Sequence, residues 1–146
     1  MTTSDFTTTF LFDQSPATIF NAINNIKGWW SEDFEGTSEK LHDEFTVRFN
    51  DVHISSQKLT AVVPEQKVEW LVTTSNLNFL KDQQEWDGTR VTFELKPKDN
   101  QTQLRFIHHG LVPEIECFND CSKGWTFYLN SLQSLITTGE GQPHKK

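Results

Sequence analysis

The sequence predicts an α+β domain in which a curved antiparallel sheet of about six strands wraps around one long C-terminal helix. Three observations carry this. Apolar residues alternate with a period of two in several runs between Phe45 and His108, the period turns helical after Glu114, and a capped helical segment follows the first apolar run. The order is strand, one or two helices, four or five strands, long helix.

Residues 5–12 read as the first strand, with Phe6, Thr8, Phe10 and Phe12 in one phase and Thr7, Thr9 and Leu11 in the other. Ser15-Pro16-Ala17 then starts a helix, because Ser supplies a capping oxygen and Pro lacks the amide proton that would go unpaired there. Ile19, Phe20 and Ile23 form its apolar stripe through about Asn25, and residues 26–30 make a second short turn of helix. Residues 31–43 are polar and acidic and contain Gly36, so they read as a loop. Phe45, Val47 and Phe49 alternate next, and Leu59, Ala61 and Val63 follow. Pro64-Glu65-Gln66 turns the chain into Val68, Trp70, Val72 and Thr74. Residues 76–85 read as an irregular connection, and Asp87-Gly88 marks a turn.

Val91, Phe93 and Leu95 alternate on one side of a hairpin connection over 97–101; Leu104, Phe106 and His108 alternate on the other. Consecutive strands joined by short turns are largely antiparallel. Over 114–138 the residues Phe118, Cys121, Trp125, Tyr128, Leu132 and Leu135 recur at helical steps, and Gly139 stands where a helix-ending glycine belongs. With no repeat and no low-complexity linker, residues 1–146 are expected to form one domain, with a core over about 5–139 and a flexible tail over 140–146.

Charge and composition exclude several classes of partner. Thirteen basic residues face twenty acidic ones, a formal charge of −7, and no basic run is present. Nucleic acids and anionic membranes are therefore not expected as partners. Within 31–44, six carboxylates meet only Lys40, a net −5 that reads as a solvated loop. No apolar segment approaches the ~20 residues of a membrane helix, so no membrane insertion is expected. Residues 1–5 show neither a positive region nor an apolar run, so no signal peptide is expected. Cys117 and Cys121, four apart on one helix face, are not placed to close a disulfide, and two free thiols suit a reducing, cytoplasmic setting.

Several motifs carry a resemblance when taken in order: Trp29-Trp30 after the first helical region, Pro64 followed by Val68-Glu69-Trp70, and the run from Gly88 to Leu95. The run from Leu104 to Gly110 and Gly124-Trp125 with Leu132 and Gly139 complete the set. Together they resemble the START-like, or SRPBCC, superfamily of helix-grip proteins, in the branch named after the activator of the heat-shock-protein-ninety ATPase. The resemblance implies an internal cavity between sheet and long helix, used across the superfamily for lipids, polyketides and other apolar molecules. Fold alone does not fix the ligand.

The inward strand phase supplies Phe49, Trp70, Val72, Phe93, Leu95, Phe106 and His108 as candidate cavity wall, and the last helix adds Phe118, Cys121 and Trp125. Trp30 is the candidate lid. The competing reading is that these side chains simply fill the core. His108 shares phase with Phe106 and points inward, with His109 outward; it is a weak catalytic candidate, since a general acid–base role needs a second placed group. Zinc is not expected, because Cys117, Cys121, His108 and His109 do not follow a recognised ligand spacing, and no cofactor motif is present.

Three functions follow. The first is binding of a small hydrophobic molecule. The second is a cyclase- or hydrolase-like enzyme using His108. The third is a chaperone-ATPase partner, implied by the branch name alone. Eukaryotic co-chaperones of that branch carry an additional N-terminal domain, for which this chain is expected to leave no room.

Overall fold

The computed structural model describes residues 5–50, 52–78, 80–81, 83–112 and 118–145. Its elements are β1 (Phe6–Phe12), α1 (Pro16–Asn24), α2 (Ile26–Trp29), β2 (Phe34–Gly36), β3 (Glu44–Phe49), β4 (His53–Val63), β5 (Lys67–Leu77), β6 (Arg90–Lys98), β7 (Gln101–His109) and α3 (Phe118–Thr138). The strands form one antiparallel sheet in the order β1-β7-β6-β5-β4-β3-β2. The two helices between β1 and β2 thus carry the chain from one edge of the sheet to the other. With the long helix held against that sheet, this is the helix-grip architecture.

Local chemistry explains the element ends. Ser15 accepts the Thr18 amide through its hydroxyl and Pro16 opens α1. The β6–β7 hairpin is tighter than expected: Pro97 is still paired, opposite Thr102, and the turn is Asp99-Asn100 with Asp99 at φ 57°. Register shifts at Ser56/Gln57 and Leu59/Ala61 bend β4 against β5, which helps curve the sheet. β2 lies inside the expected loop over 31–43; three residues are too few to show a period. The acidic stretch is partly neutralised there, since Arg48 pairs with Asp33 at 3.6 Å and Glu35 at 3.2 Å.

The concave face and α3 enclose the core. All five tryptophans are buried, and the rings of Trp70 and Phe93, Phe93 and Phe106, and Phe106 and Trp125 meet at 5.1, 5.2 and 4.7 Å between centroids. Each such buried ring contributes about 1.5–3 kcal/mol from area alone. From α3, Cys121, Trp125, Leu129, Leu132 and Ile136 face inward.

Two expectations need correction. Residues 141–145, expected in a flexible tail, are bonded to the body. His144 bridges Ser31 in parallel, its carbonyl accepts the Glu32 amide at 2.9 Å, and its amide donates to the Trp30 carbonyl at 3.0 Å. The Gln142 amide donates to Ser131 Oγ at 2.6 Å, Lys145 pairs with Glu32 at 3.0 Å, and a Cβ on Gly141 would collide with the Gly28 carbonyl. Backbone pairing and a close glycine approach hold the segment, neither of which leaves an apolar pattern. Second, Cys121 is disulfide-bonded rather than free. The spacing argument set both thiols on one helix, whereas α3 is described from Phe118 and Cys117 lies outside the described residues. The thiol argument for a reducing compartment falls with it. Among the described residues no helix is long and apolar enough to cross a membrane.

Candidate functional site

The inner face changes character at β4. Its inward positions begin with His53, Ser55 and Gln57 before Leu59 restores the apolar phase. The three polar side chains form a ladder: Gln57 Nε2 donates to Ser55 Oγ at 2.7 Å, and Ser55 Oγ lies 2.8 Å from His53 Nε2. Buried polar groups need such partners. Burial pushes the His53 imidazole down to about 3, so the ring is neutral at physiological pH.

Above this ladder is a cavity of about 180 Å³ between the sheet and α3. Trp30, Phe49, His53, Leu77 and Trp86 line it from one side; Asp120, Cys121, Gly124, Trp125 and Tyr128 of α3 line it from the other. Four indoles run through this part of the core in near-parallel planes. Trp30 stacks on Trp70 at 5.4 Å and on Trp125 at 5.1 Å, and Trp125 stacks on Trp86 at 5.8 Å. Phe49 meets Tyr128 at 5.3 Å and the tail's His144 at 5.5 Å, so the docked tail backs one wall.

His108 holds two of these indoles in place. Trp125 Nε1–H donates to His108 Nδ1 at 3.0 Å, which leaves the ring proton on Nε2, 2.9 Å from Thr89 Oγ1. The Thr89 hydroxyl in turn donates to the Trp86 carbonyl at 2.6 Å. Burial, with repulsion from His109 and His53, lowers His108 to about 3, so this relay is built on a neutral imidazole. The Trp86 turn is pinned to β5 by Gly88 N donating to Val72 O at 2.8 Å and by Ser75 Oγ donating to Asp87 Oδ1 at 2.7 Å. Gly88 sits at φ 80°, where a side chain would be strained. Trp86 itself is 4% exposed, and its Nε1–H has no hydrogen-bond partner among the described residues.

Of the residues proposed from sequence, Trp30, Phe49, Cys121 and Trp125 border the cavity. Trp70, Val72, Phe93, Leu95 and Phe106 are buried in the packed core beside it, and Phe118 packs against that core from the start of α3. His108 stands behind Trp86 and Trp125 with both nitrogens engaged. Sequence reasoning passed over His53, Leu77, Trp86, Asp120, Gly124 and Tyr128 as lining. Trp86 carried a signal, a lone indole in a polar run before Asp-Gly. Among the described residues no cluster of three His, Cys, Asp or Glu is placed to hold a metal ion.

The family of activator of Hsp90 ATPase homolog 1-like proteins matches residues 13–137. The chain belongs to this family. Among solved structures, it resembles the Aha1 dimer from Colwellia psychrerythraea at 26% identity and TM-score 0.76, covering 94% of this chain and 99% of that one. CalU16 from Micromonospora echinospora shares the fold at 13% identity and TM-score 0.65, over 95% of this chain and 88% of that one. DynU16, a putative protein in the dynemicin biosynthetic locus, does so at 12% identity and TM-score 0.68, over 96% of this chain and 50% of that one. A comparison with curated protein sequences found no match.

Proposed function

We propose that this member of the activator of Hsp90 ATPase homolog 1-like family binds a small apolar molecule in the cavity between β4 and α3. The observation that carries the reading is a hollow of about 180 Å³ walled by the rings of Trp30, Phe49, Trp86, Trp125 and Tyr128. The walls are mostly apolar, so an apolar occupant seated against them takes its own surface and theirs out of water and stabilises the folded state that binds it. An apolar cavity of about 150 Å³ admits benzene, so this one suits one ring or two fused rings better than a lipid chain. A general acid–base role for His108 draws no support from the geometry, because both ring nitrogens are engaged in the relay that positions Trp125 and Trp86.

Gly124 provides the test. It lines the cavity, and a Cβ added there meets nothing within 4 Å. Replacing an interior helix glycine by leucine also favours the helix by about 0.8–1 kcal/mol, so Gly124→Leu is expected to fold at least as well as the parent. Indane titrated into the parent protein is expected to raise Tm and change tryptophan emission; at 100 times Kd the gain is about 2.7 kcal/mol. In Gly124→Leu the response is expected to vanish while Tm without ligand holds or rises. An undiminished response in that variant places the binding elsewhere and sinks the reading.

A further inference from the structure

We infer that residues 141–145 form a strap whose docking is coupled to the cavity: an occupant tightens the strap, and release of the strap weakens binding. This rests on the cavity reading above and adds a moving part to it. The strap crosses three elements. The Gln142 amide is held to α3 by the Ser131 hydroxyl at 2.6 Å, and the His144 amide to the end of α2 by the Trp30 carbonyl at 3.0 Å. At the end of β3 the Asn50 amide donates to His144 Nε2 at 3.3 Å, and the same ring lies 5.5 Å from that of Phe49. Trp30 and Phe49 line the cavity and His144 does not, so the strap meets these two walls from outside.

The walls are fixed with unequal strength. Trp125 is bonded to the fully buried His108, and the Trp86 carbonyl to the Thr89 hydroxyl that the same imidazole meets. By contrast, none of residues 141–145 is buried, so hydrogen bonds, a surface ion pair and one ring contact hold the strap. Segments with few buried apolar contacts open at free energies well below that of global unfolding. The strap can therefore lift while the sheet and α3 stay folded. Lifting takes the donor from the Trp30 carbonyl at the C-terminal end of α2 and the imidazole from the Phe49 ring. An aromatic occupant packs against the rings of Trp30 and Phe49, so it binds the docked form better. By linkage it favours docking by the same factor.

Two variants release the strap by different means. A chain ending at Glu140 lacks it, and Gly141→Ala keeps it but sets a Cβ against the Gly28 carbonyl. Hydrogen exchange of the β6 and β7 amides is expected to match the parent in both, which reports an intact body. Isothermal titration is expected to show indane binding about five- to twentyfold more weakly to the shortened chain than to the full chain, with Gly141→Ala between them. In the parent, saturating indane is expected to slow exchange of the Glu32 and Gln142 amides by that same factor, although neither residue lines the cavity. This exchange readout needs no variant, so it decides even where a variant fails to fold. Equal indane affinity in the full and shortened chains, or exchange at Glu32 and Gln142 that indane leaves unchanged, overturns the coupling and leaves the cavity reading standing. Failure of indane to bind the full chain overturns both.

Discussion

β4 and β6 flank β5 in one sheet and face the same interior, yet they fill it in opposite ways. β6 sends in Val91, Phe93 and Leu95, each buried, and the rings of its neighbours close around Phe93. β4 sends in His53, Ser55 and Gln57, which hydrogen-bond to one another, and the cavity opens beside His53. Rings that interlock leave no room for an occupant. A polar ladder under four stacked indoles does. A strand that breaks the apolar alternation in a buried position departs from what stability alone selects, and such departures concentrate where a fold does something besides fold.

The sharpest way to test this contrast is to open a hole in the filled half. Phe93→Ala removes a fully buried ring and is expected to destabilise the protein by about 3–5 kcal/mol in urea unfolding. Indane affinity, measured where the variant is still folded, is expected to stay at the parent value, because Phe93 does not border the cavity. A large loss of affinity would mean the two halves are not independent.

The same contrast governs what could be read from the sequence. Alternation revealed β6, β7 and the apolar part of β5, since Val91, Phe93, Leu95, Leu104 and Phe106 obey it without exception. It also put His108 inside and His109 outside, as the structure has them. The first half of β4 stayed hidden because its inward residues are polar, so the strand was begun at Leu59 instead of His53. β2 stayed hidden because it is too short, and the docked tail because backbone bonds at His144 carry no side-chain signature. Fold was therefore legible from its packed half, whereas the candidate site lay mainly in the half where packing rules lapse. Trp86 was visible only as an isolated indole, and nothing in its neighbours fixed where its ring would go.

A pH series tests the histidines of the hollow half. The unfolded imidazole of His108 takes a proton near pH 6.5, and the buried one only at about 3. Between those values the unfolded chain binds the extra proton, so stability is full above about 6.5 and falls as the pH drops towards 3. The slope from His108 approaches about 1.4 kcal/mol per pH unit, or ~2 kcal/mol between pH 6.5 and 5. His53, shifted the same way by burial, steepens it. Urea unfolding at a series of pH values should give this slope in the parent and in Phe93→Ala alike, and a shallower one in His108→Gln. A flat profile over that window would show that neither ring is held neutral.

The smallest effect is expected at Gln57, and its sign is what matters. The side chain is fully buried, its amide nitrogen donates to Ser55, and its Oε1 has no partner among the described residues. An unpaired buried acceptor is a cost that an apolar side chain of similar size does not carry. Gln57→Leu continues the phase of Leu59 and sets leucine between its register partners Phe45 and Val72. Ser55 keeps His53 as a partner, so the ladder shortens without stranding its remaining members. The variant is expected to be neutral or more stable by up to ~1 kcal/mol, with indane affinity unchanged, since Gln57 does not border the cavity. A gain means that β4 tolerates polarity at Gln57 at the expense of stability, in contrast to β6. A loss of more than ~2 kcal/mol would instead make the ladder a structural support of the sheet, and the division into a packed half and a hollow half would have to be redrawn.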